Sequence, residues 1–199
     1  MRHRPLEIVF ATILLCACGS TQNDETKNRY CFIGASDLAD AMAPRFDQYP
    51  VKVPVSVGHA KLDIRSNPVA STYRTVLRRE MSEGANFAGH YRVAVWGCGS
   101  SCAMFAVVNL NTGRVITPKT IYSVSGVYLG ADDFLHDTDS DSWGFRFKKN
   151  SQLLILVGTM NEDESKEGAF YFLLRAEKLV LIHKTIAGRK TCQTVEPEG

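Results

Sequence analysis

The sequence has no hydrophobic run long enough to cross a membrane as a helix. Such a helix needs about 20 apolar residues. The N-terminal apolar run, residues 8–17, has ten residues, of which only Thr12 is polar. A short apolar run behind a positively charged start is typical of an export signal and not of a membrane span.

A strong charge of either sign is also missing. Lys and Arg number 23 against 21 for Asp and Glu, a net charge of +2, so nothing favours nucleic acid or an acidic polymer as a partner. The sequence has no Gly-x-Ser-x-Gly, no His-Glu-x-x-His and no phosphate-binding loop, and its carboxylates are scattered. No catalytic residue can be assigned, and we expect a protein that is not an enzyme.

The N-terminus resembles the signal of a bacterial lipoprotein. Arg2 and Arg4 precede the apolar run, which ends in Leu15-Cys16-Ala17-Cys18. The resemblance implies removal of residues 1–17 and acylation of Cys18, with palmitate as the expected fatty acid. Gly19 follows the acylated cysteine, and by the sorting habit of these lipoproteins it predicts the periplasmic face of the outer membrane. The alternative is a buried N-terminal helix, but the polar stretch that follows disfavours it.

The remaining cysteines predict disulfides. With Cys18 acylated, four are left, and an even number in an oxidising compartment favours two bonds with three possible connectivities. We predict Cys98–Cys102, which are separated by a segment able to turn, and Cys31–Cys192, which would tie the ends of the domain together. A metal site of Cys98 and Cys102 with a histidine is the weaker alternative, because no second cysteine pair stands at zinc spacing.

The pattern along the chain predicts a lipidated disordered tether at 18–29 and one periplasmic domain at 30–199. Its fold class is mainly β (α+β): an antiparallel sheet, sandwich-like, or a small barrel-like or propeller-like domain, with one or two short helices. Asn67-Pro68 is a good helix start, and Gly84 is a suitable helix end. A second short helix is expected at 36–46, and an edge strand at 51–57. Further strands are expected at 91–96, 103–110, 114–117, 143–148, 152–157, 169–174 and 179–183.

Glycine, cysteine and aromatic residues are densest between Gly84 and Cys102. The segment contains Asn86-Phe-Ala-Gly-His-Tyr91, then a predicted strand, then Trp96-Gly-Cys-Gly99 and a second cysteine. This pattern resembles a large family of uncharacterised bacterial secreted proteins and lipoproteins, over most of residues 60–183. The resemblance implies a shared fold and no particular reaction.

Three residues of this segment, His90, Tyr91 and Trp96, are candidate binding residues. His90 and Cys98 would suit a nucleophile pair, but along one extended strand they would lie about 26 Å apart. His90 is more often a hydrogen-bonded structural residue than a base, and a disulfide is the favoured state of Cys98.

A second candidate site is acidic. Asp137, Asp139 and Asp141 alternate along the chain, and such carboxylates can converge on calcium. Ser142 and Lys148 depart from the full ligand pattern of a calcium loop, so a solvated acidic turn is the plainer interpretation.

Taken together, the sequence predicts a lipid-anchored, non-enzymatic binding module of the envelope, of the inhibitor or immunity type. Its expected partners are the membrane, through the anchor, and another envelope protein. The alternative is a periplasmic enzyme or metal-dependent module centred on His90 and Cys98/Cys102.

Overall fold

A computed structural model describes residues 28–32, 35–52, 60–125, 144–188 and 191–195. In this part of the chain the fold is mainly antiparallel β-sheet with two short helices, as the sequence predicts. No described helix is long and apolar enough to span a membrane. The helices and strands are β1 (Asn28–Phe32), α1 (Pro68–Thr72), α2 (Arg74–Ser82), β2 (Tyr91–Gly99), β3 (Cys102–Asn109), β4 (Val115–Ile116), β5 (Ser123–Ser125), β6 (Phe145–Phe147), β7 (Leu153–Met160), β8 (Glu167–Arg175), β9 (Lys178–Ile186) and β10 (Thr191–Val195).

Eight of these strands form one sheet in the order β2-β3-β5-β7-β8-β9, with β4 paired to β3 and β6 paired to β7. All the pairings are antiparallel. The sheet is not closed into a barrel, since β2 and β9 do not pair with each other. Strands β1 and β10 form a separate two-stranded sheet.

The largest apolar cluster joins both halves of the sheet. Side chains from β2 and β3 enter the same apolar cluster as side chains from β6, β7 and β8. Phe105 of β3 meets Phe145 of β6 with ring centroids 5.3 Å apart, and Phe87 meets Phe147 at 6.3 Å. These aromatic contacts join the two halves of the sheet, which share only the three-residue strand β5.

The outer face of the sheet is covered at two places. Ala70 and Leu77 of the helices pack over Trp96 and other residues of β2 and β3. Leu38 and Phe46, from the N-terminal 3₁₀ turns Ala35–Leu38 and Phe46–Gln48, pack over β7 and β8. Strand β8 is therefore buried on both faces over eight consecutive residues, which explains its nearly unbroken apolar sequence.

The helix predicted after Asn67 is confirmed at both ends but not in the middle. The Asn67 side chain accepts a hydrogen bond from the Val69 amide at 2.9 Å, and Pro68 is the first helical residue. Gly84 has a φ of +81° just after α2. Between the helices Tyr73 leaves helical geometry, and its ring packs on Trp96 at 4.8 Å.

The helix predicted at 36–46 is wrong. The Asp40 side chain accepts a hydrogen bond from the Met42 amide at 2.8 Å, so it competes with helical bonding in the middle of the segment. Only two separate 3₁₀ turns form. Most of the strand predicted at 51–57 lies outside the described residues, and Val51 and Lys52 are in no strand. Strand β1 begins at Asn28, two residues before the expected start of the domain.

Gly113 should be irreplaceable at the turn after β3. It has a φ of +77°, and a Cβ there would lie 1.9 Å from the Lys61 carbonyl oxygen. We expect Gly113→Ala to lower the free energy of unfolding by about 3 kcal/mol, from left-handed backbone strain and forced displacement of the main chain. Urea unfolding measures this loss.

Gly84→Ala is the matched control, because Gly84 has a φ of +81° and open space around its Cβ position. We expect Gly84→Ala to lower the free energy of unfolding only by the cost of the left-handed backbone, about 1 kcal/mol. Equal losses for the two variants would show that the close approach to Lys61 does not matter.

Candidate functional site

The hexad Asn86 to Tyr91, singled out in the sequence analysis, folds into a tight turn that leads into β2. Phe87 and Tyr91 exchange backbone hydrogen bonds of 3.0 and 2.9 Å. Between them Ala88 and Gly89 have φ values of +43° and +84°. The Gly89 amide donates to the Lys149 carbonyl at 2.8 Å. The turn places the fully buried Phe87 ring in the main core, keeps Ala88 and Gly89 buried, and leaves His90 and Tyr91 half-buried.

Asn86 and Arg92 hold this turn against the edge of the sheet. The Asn86 amide group accepts from the Val93 N–H at 2.8 Å and donates to the Val93 carbonyl at 3.1 Å. Arg92 donates to Glu80 of α2 at 2.9 Å, and both side chains are largely buried. These contacts give the segment a structural role in addition to any binding role.

His90 and Tyr91 line a cavity of about 240 Å³ beside the turn. Their rings lie against each other with centroids 4.4 Å apart. The wall is apolar in part, and Lys52 and Glu177 bring charged groups to it. The complete lining is Val51, Lys52, Ala88, His90, Tyr91, Gln152, Leu174, Ala176 and Glu177.

Glu177 is the residue of this site that the sequence analysis missed. It lies in the two-residue turn between β8 and β9, where Ala176 and Glu177 have φ values of +45° and +57°. Its carboxylate accepts from the Asn109 side chain at 2.6 Å and pairs with Arg114 at 3.3 Å. A two-residue hairpin turn with positive φ is normally Asn-Gly or Asp-Gly. The absence of both from this turn is a signal that sequence reasoning could have used.

Strained backbone is concentrated around the cavity. Six described residues other than glycine have a positive φ, and three of them, Ala88, Ala176 and Glu177, line it. Such conformations cost of order 1–3 kcal/mol each and tend to cluster at functional sites. We therefore take this cavity as the candidate functional site.

The cavity shifts the pKa values of both rings. Burial lowers the pKa of His90, and the negative charge of Glu177 opposes this shift. Burial also raises the pKa of Tyr91, and here the charge of Glu177 acts in the same direction. At pH 7 the site therefore presents a neutral imidazole and a neutral phenol, both able to form hydrogen bonds.

Trp96, the third candidate binding residue, does not reach the cavity. Side chains alternate along β2, so Ala94 and Trp96 face the helices while Val93 faces the main core. Trp96 is 9% exposed, and its ring nitrogen is buried without a hydrogen-bond partner in the described structure.

The Cys98–Cys102 disulfide is confirmed, with Cα atoms 5.2 Å apart. It lies at the opposite end of β2 from His90, roughly 25 Å away by strand rise. The structure therefore does not bring His90 and Cys98 together. Cys31 and Cys192 are register partners in the β1–β10 ladder. The distance between the Cα atoms of register partners in an antiparallel ladder suits a disulfide, and the Cys31–Cys192 bond stays a prediction.

Two predicted sites fall outside the described residues: the acylated Cys18, and the acidic loop of Asp137, Asp139 and Asp141. Calcium binding there stays a prediction. Within the described ranges, no three His, Cys, Asp or Glu side chains gather as a metal site would require.

A second polar cluster, also missed from the sequence, lies on the outer face of the sheet. Asp40 Oδ2 contacts His183 Nε2 at 2.7 Å and accepts from the Thr185 hydroxyl at 2.8 Å. The contact with His183 is the main cause that lowers the pKa of Asp40 to about 2. Since this pKa is below the unfolded value, the contact stabilises the fold above about pH 4, and the gain is lost as the pH falls through 2.

Tyr171 lies beside this cluster. Burial raises its pKa to about 12, and the charge of Asp40 adds to the shift. Its hydroxyl is buried without a hydrogen-bond partner among the described residues, and the nearby Thr185 hydroxyl partly opposes the rise in its pKa. The cluster fastens the N-terminal segment onto β9, where the His183 ring also contacts Tyr171 of β8.

Comparison with known proteins adds no relative: no family model, curated protein or solved structure matches the chain. The resemblance in the Asn86–Cys102 segment therefore stays a prediction.

Glu177 can be tested as the electrostatic partner of both rings. Its charge raises the pKa of His90 and that of Tyr91. We expect Glu177→Gln to lower both pKa values, because the imidazolium loses a favourable neighbour and the phenolate loses an unfavourable one. NMR titration of the two rings measures this. Glu162→Gln, at an exposed turn, is the control; a Glu177→Gln variant that leaves both titrations unchanged would contradict the assignment.

Proposed function

We propose that this chain is a lipid-anchored envelope protein that acts as a non-enzymatic binding module. In this proposal the cavity at His90 and Tyr91 receives one side chain of a partner protein. The observation that carries it is the cavity itself, because strained turns on two separate segments hold its wall.

The size of the cavity favours a protein partner over a free small molecule. Small-molecule pockets usually measure about 300–1,000 Å³, whereas this one measures about 240 Å³. A single anchoring side chain in a well-packed pocket often carries much of the energy of a protein interface. The apolar wall at Leu174 would take the stem of such a side chain, and the Glu177 carboxylate would accept a hydrogen bond from its tip.

The chemistry of the lining supports binding without catalysis. Its nine residues include no Ser, Thr or Cys, so the wall lacks the nucleophiles that a neighbouring histidine base most often activates. The alternative, an enzyme or metal-dependent module centred on His90 and Cys98/Cys102, would need these residues to meet. The disulfide and the length of β2 count against it.

The anchor part of the proposal rests on Leu15-Cys16-Ala17-Cys18. Several acyl chains on Cys18 would hold the domain at a membrane, since each buried CH₂ contributes about 0.8 kcal/mol. The domain would then need no apolar surface of its own for the membrane. An inhibitor of wall-degrading enzymes or an immunity protein is the class of binding module that the predicted location and the predicted pair of disulfides suit.

Acylation can be tested with two neighbouring cysteines. We expect the full-length chain, expressed in a Gram-negative bacterium, to incorporate labelled palmitate and to fractionate with the outer membrane. Cys18→Ser should abolish the label, whereas Cys16→Ser, which alters only the segment to be removed, should keep it. Label retained by Cys18→Ser, or absent from the unchanged chain, would refute the anchor.

Partner binding can be tested by photocrosslinking in intact envelopes. A photoactivatable residue at position 52, on the rim of the cavity, should give a discrete protein adduct. The same residue at the exposed position 180 of β9 is the control and should not give that adduct. Adding His90→Ala should reduce the position 52 adduct by at least about tenfold, as for an interface hot spot.

Circular dichroism and thermal melting of the His90→Ala variant separate lost binding from lost folding. If position 52 gives no adduct, or if His90→Ala folds and leaves the adduct at full strength, the cavity is not the binding site.

A further inference from the structure

The tip of the β2–β3 hairpin carries an unusually open disulfide. In the strand register Gly97 pairs with Ala103 and Gly99 pairs with Cys102. Cys98 lies between them as the extra residue of a β-bulge and has no register partner. Bulges re-aim side chains and are frequent beside active sites. Residues 97–101 are all exposed, whereas Cys102 is half-buried.

The glycines beside Cys98 leave it uncovered. Gly99, with a φ of +143°, has a backbone reason to be glycine, but Gly97 has no positive φ. A Cβ at either position would meet no described atom within 4 Å. Nothing in the fold therefore requires glycine at position 97, and the lack of a side chain there keeps the approach to Cys98 open.

Structural need accounts poorly for this bond. Cross-links stabilise mainly by closing long loops in the unfolded chain, and here only four positions separate the cysteines. Their strands are already joined by register pairs from Tyr91 to Gly97. An exposed disulfide that closes a short loop belongs to the labile group and not to the buried structural group.

We propose that Cys98–Cys102 is a thiol–disulfide exchange site for a dithiol protein of the thioredoxin-like class. A thiolate of the partner attacks Cys98 Sγ, a mixed disulfide forms, and Cys102 leaves as a thiolate that takes up a proton. The second partner thiol, losing its proton, then attacks the partner sulfur of the mixed disulfide and releases Cys98 as a thiolate, which is protonated in turn. The partner becomes oxidised to a disulfide, and the hairpin becomes a dithiol.

The structure assigns different roles to the two sulfurs. Cys98 is exposed and has no partner in the strand register, so an attacking thiolate reaches its sulfur without unfolding. Cys102 is half-buried between Gly99 and its β5 partner Ser125. This site does not depend on the proposed binding function, because the cavity lies at the other end of β2.

The rate of reduction tests whether the bond is open in the folded protein. Reduced thioredoxin is the probe, and alkylation followed by mass spectrometry of the peptide with Cys98 and Cys102 is the readout. Dithiothreitol, which acts in both states, is used to compare the folded protein with the protein unfolded in urea. We expect the folded protein to be reduced by it at a rate within about tenfold of the rate for the unfolded protein. Reduction that occurs only as fast as global unfolding would overturn the proposal.

Two single variants test the assignment of roles. Cys102→Ser leaves Cys98 as a free thiol, and Cys98→Ser leaves Cys102. With glutathione disulfide as the probe, we expect Cys98 to react at least about tenfold faster, because access governs exchange when the thiols are otherwise alike. Thermal melting confirms that both variants fold. Equal rates, or faster reaction of Cys102, would refute the assignment of Cys98 as the attacked sulfur.

Discussion

The turn from Phe87 to Tyr91 is the constraint on which the rest of the structure depends. It inserts Phe87 into the core that joins the two halves of the sheet. It also bonds to the chain beyond β6 through Gly89, and the His90 carbonyl accepts from Leu110 after β3. Burial of a Phe side chain contributes about 1.5–3 kcal/mol, enough to offset the left-handed backbone of Ala88, at about 1–2 kcal/mol. A strained turn at the cavity is therefore maintained by the core beneath it.

Local pattern accounts for the parts of the fold that the sequence predicts. Continuous or alternating apolar runs indicate β2, β3, β7 and β8, and a side-chain cap indicates the start of α1. The parts that were missed depend on distant contacts. The helix is interrupted at Tyr73, whose ring packs on Trp96 of another element. The helix expected at 36–46 does not form, because Asp40 bonds locally to the Met42 amide and also to His183 and Thr185, more than 140 positions away. The three-residue β5 and the β1–β10 pair carry no local signal of their own.

The sequence likewise predicted only part of the candidate site. His90 and Tyr91 stand out in a dense motif, but a motif read along the chain does not show which face each residue takes. Period-two alternation sends Trp96 to the helix side and away from the cavity. Glu177 comes from a hairpin 86 positions beyond Tyr91, and only tertiary structure brings it beside that ring. Its odd turn sequence was the single local indication.

The arrangement of β2 argues that its contacts with other molecules occur at its ends. As an edge strand it would offer its backbone to another chain, but Asn86 occupies the Val93 amide and carbonyl, and α2 is fastened over it by the Arg92–Glu80 ion pair. Its central residues are buried against the core and the helices. What remains free is the cavity before its first residue and the exposed hairpin after its last paired one. Because the buried centre of β2 separates them, the two sites lie at opposite ends of one scaffold and present their groups to other molecules separately.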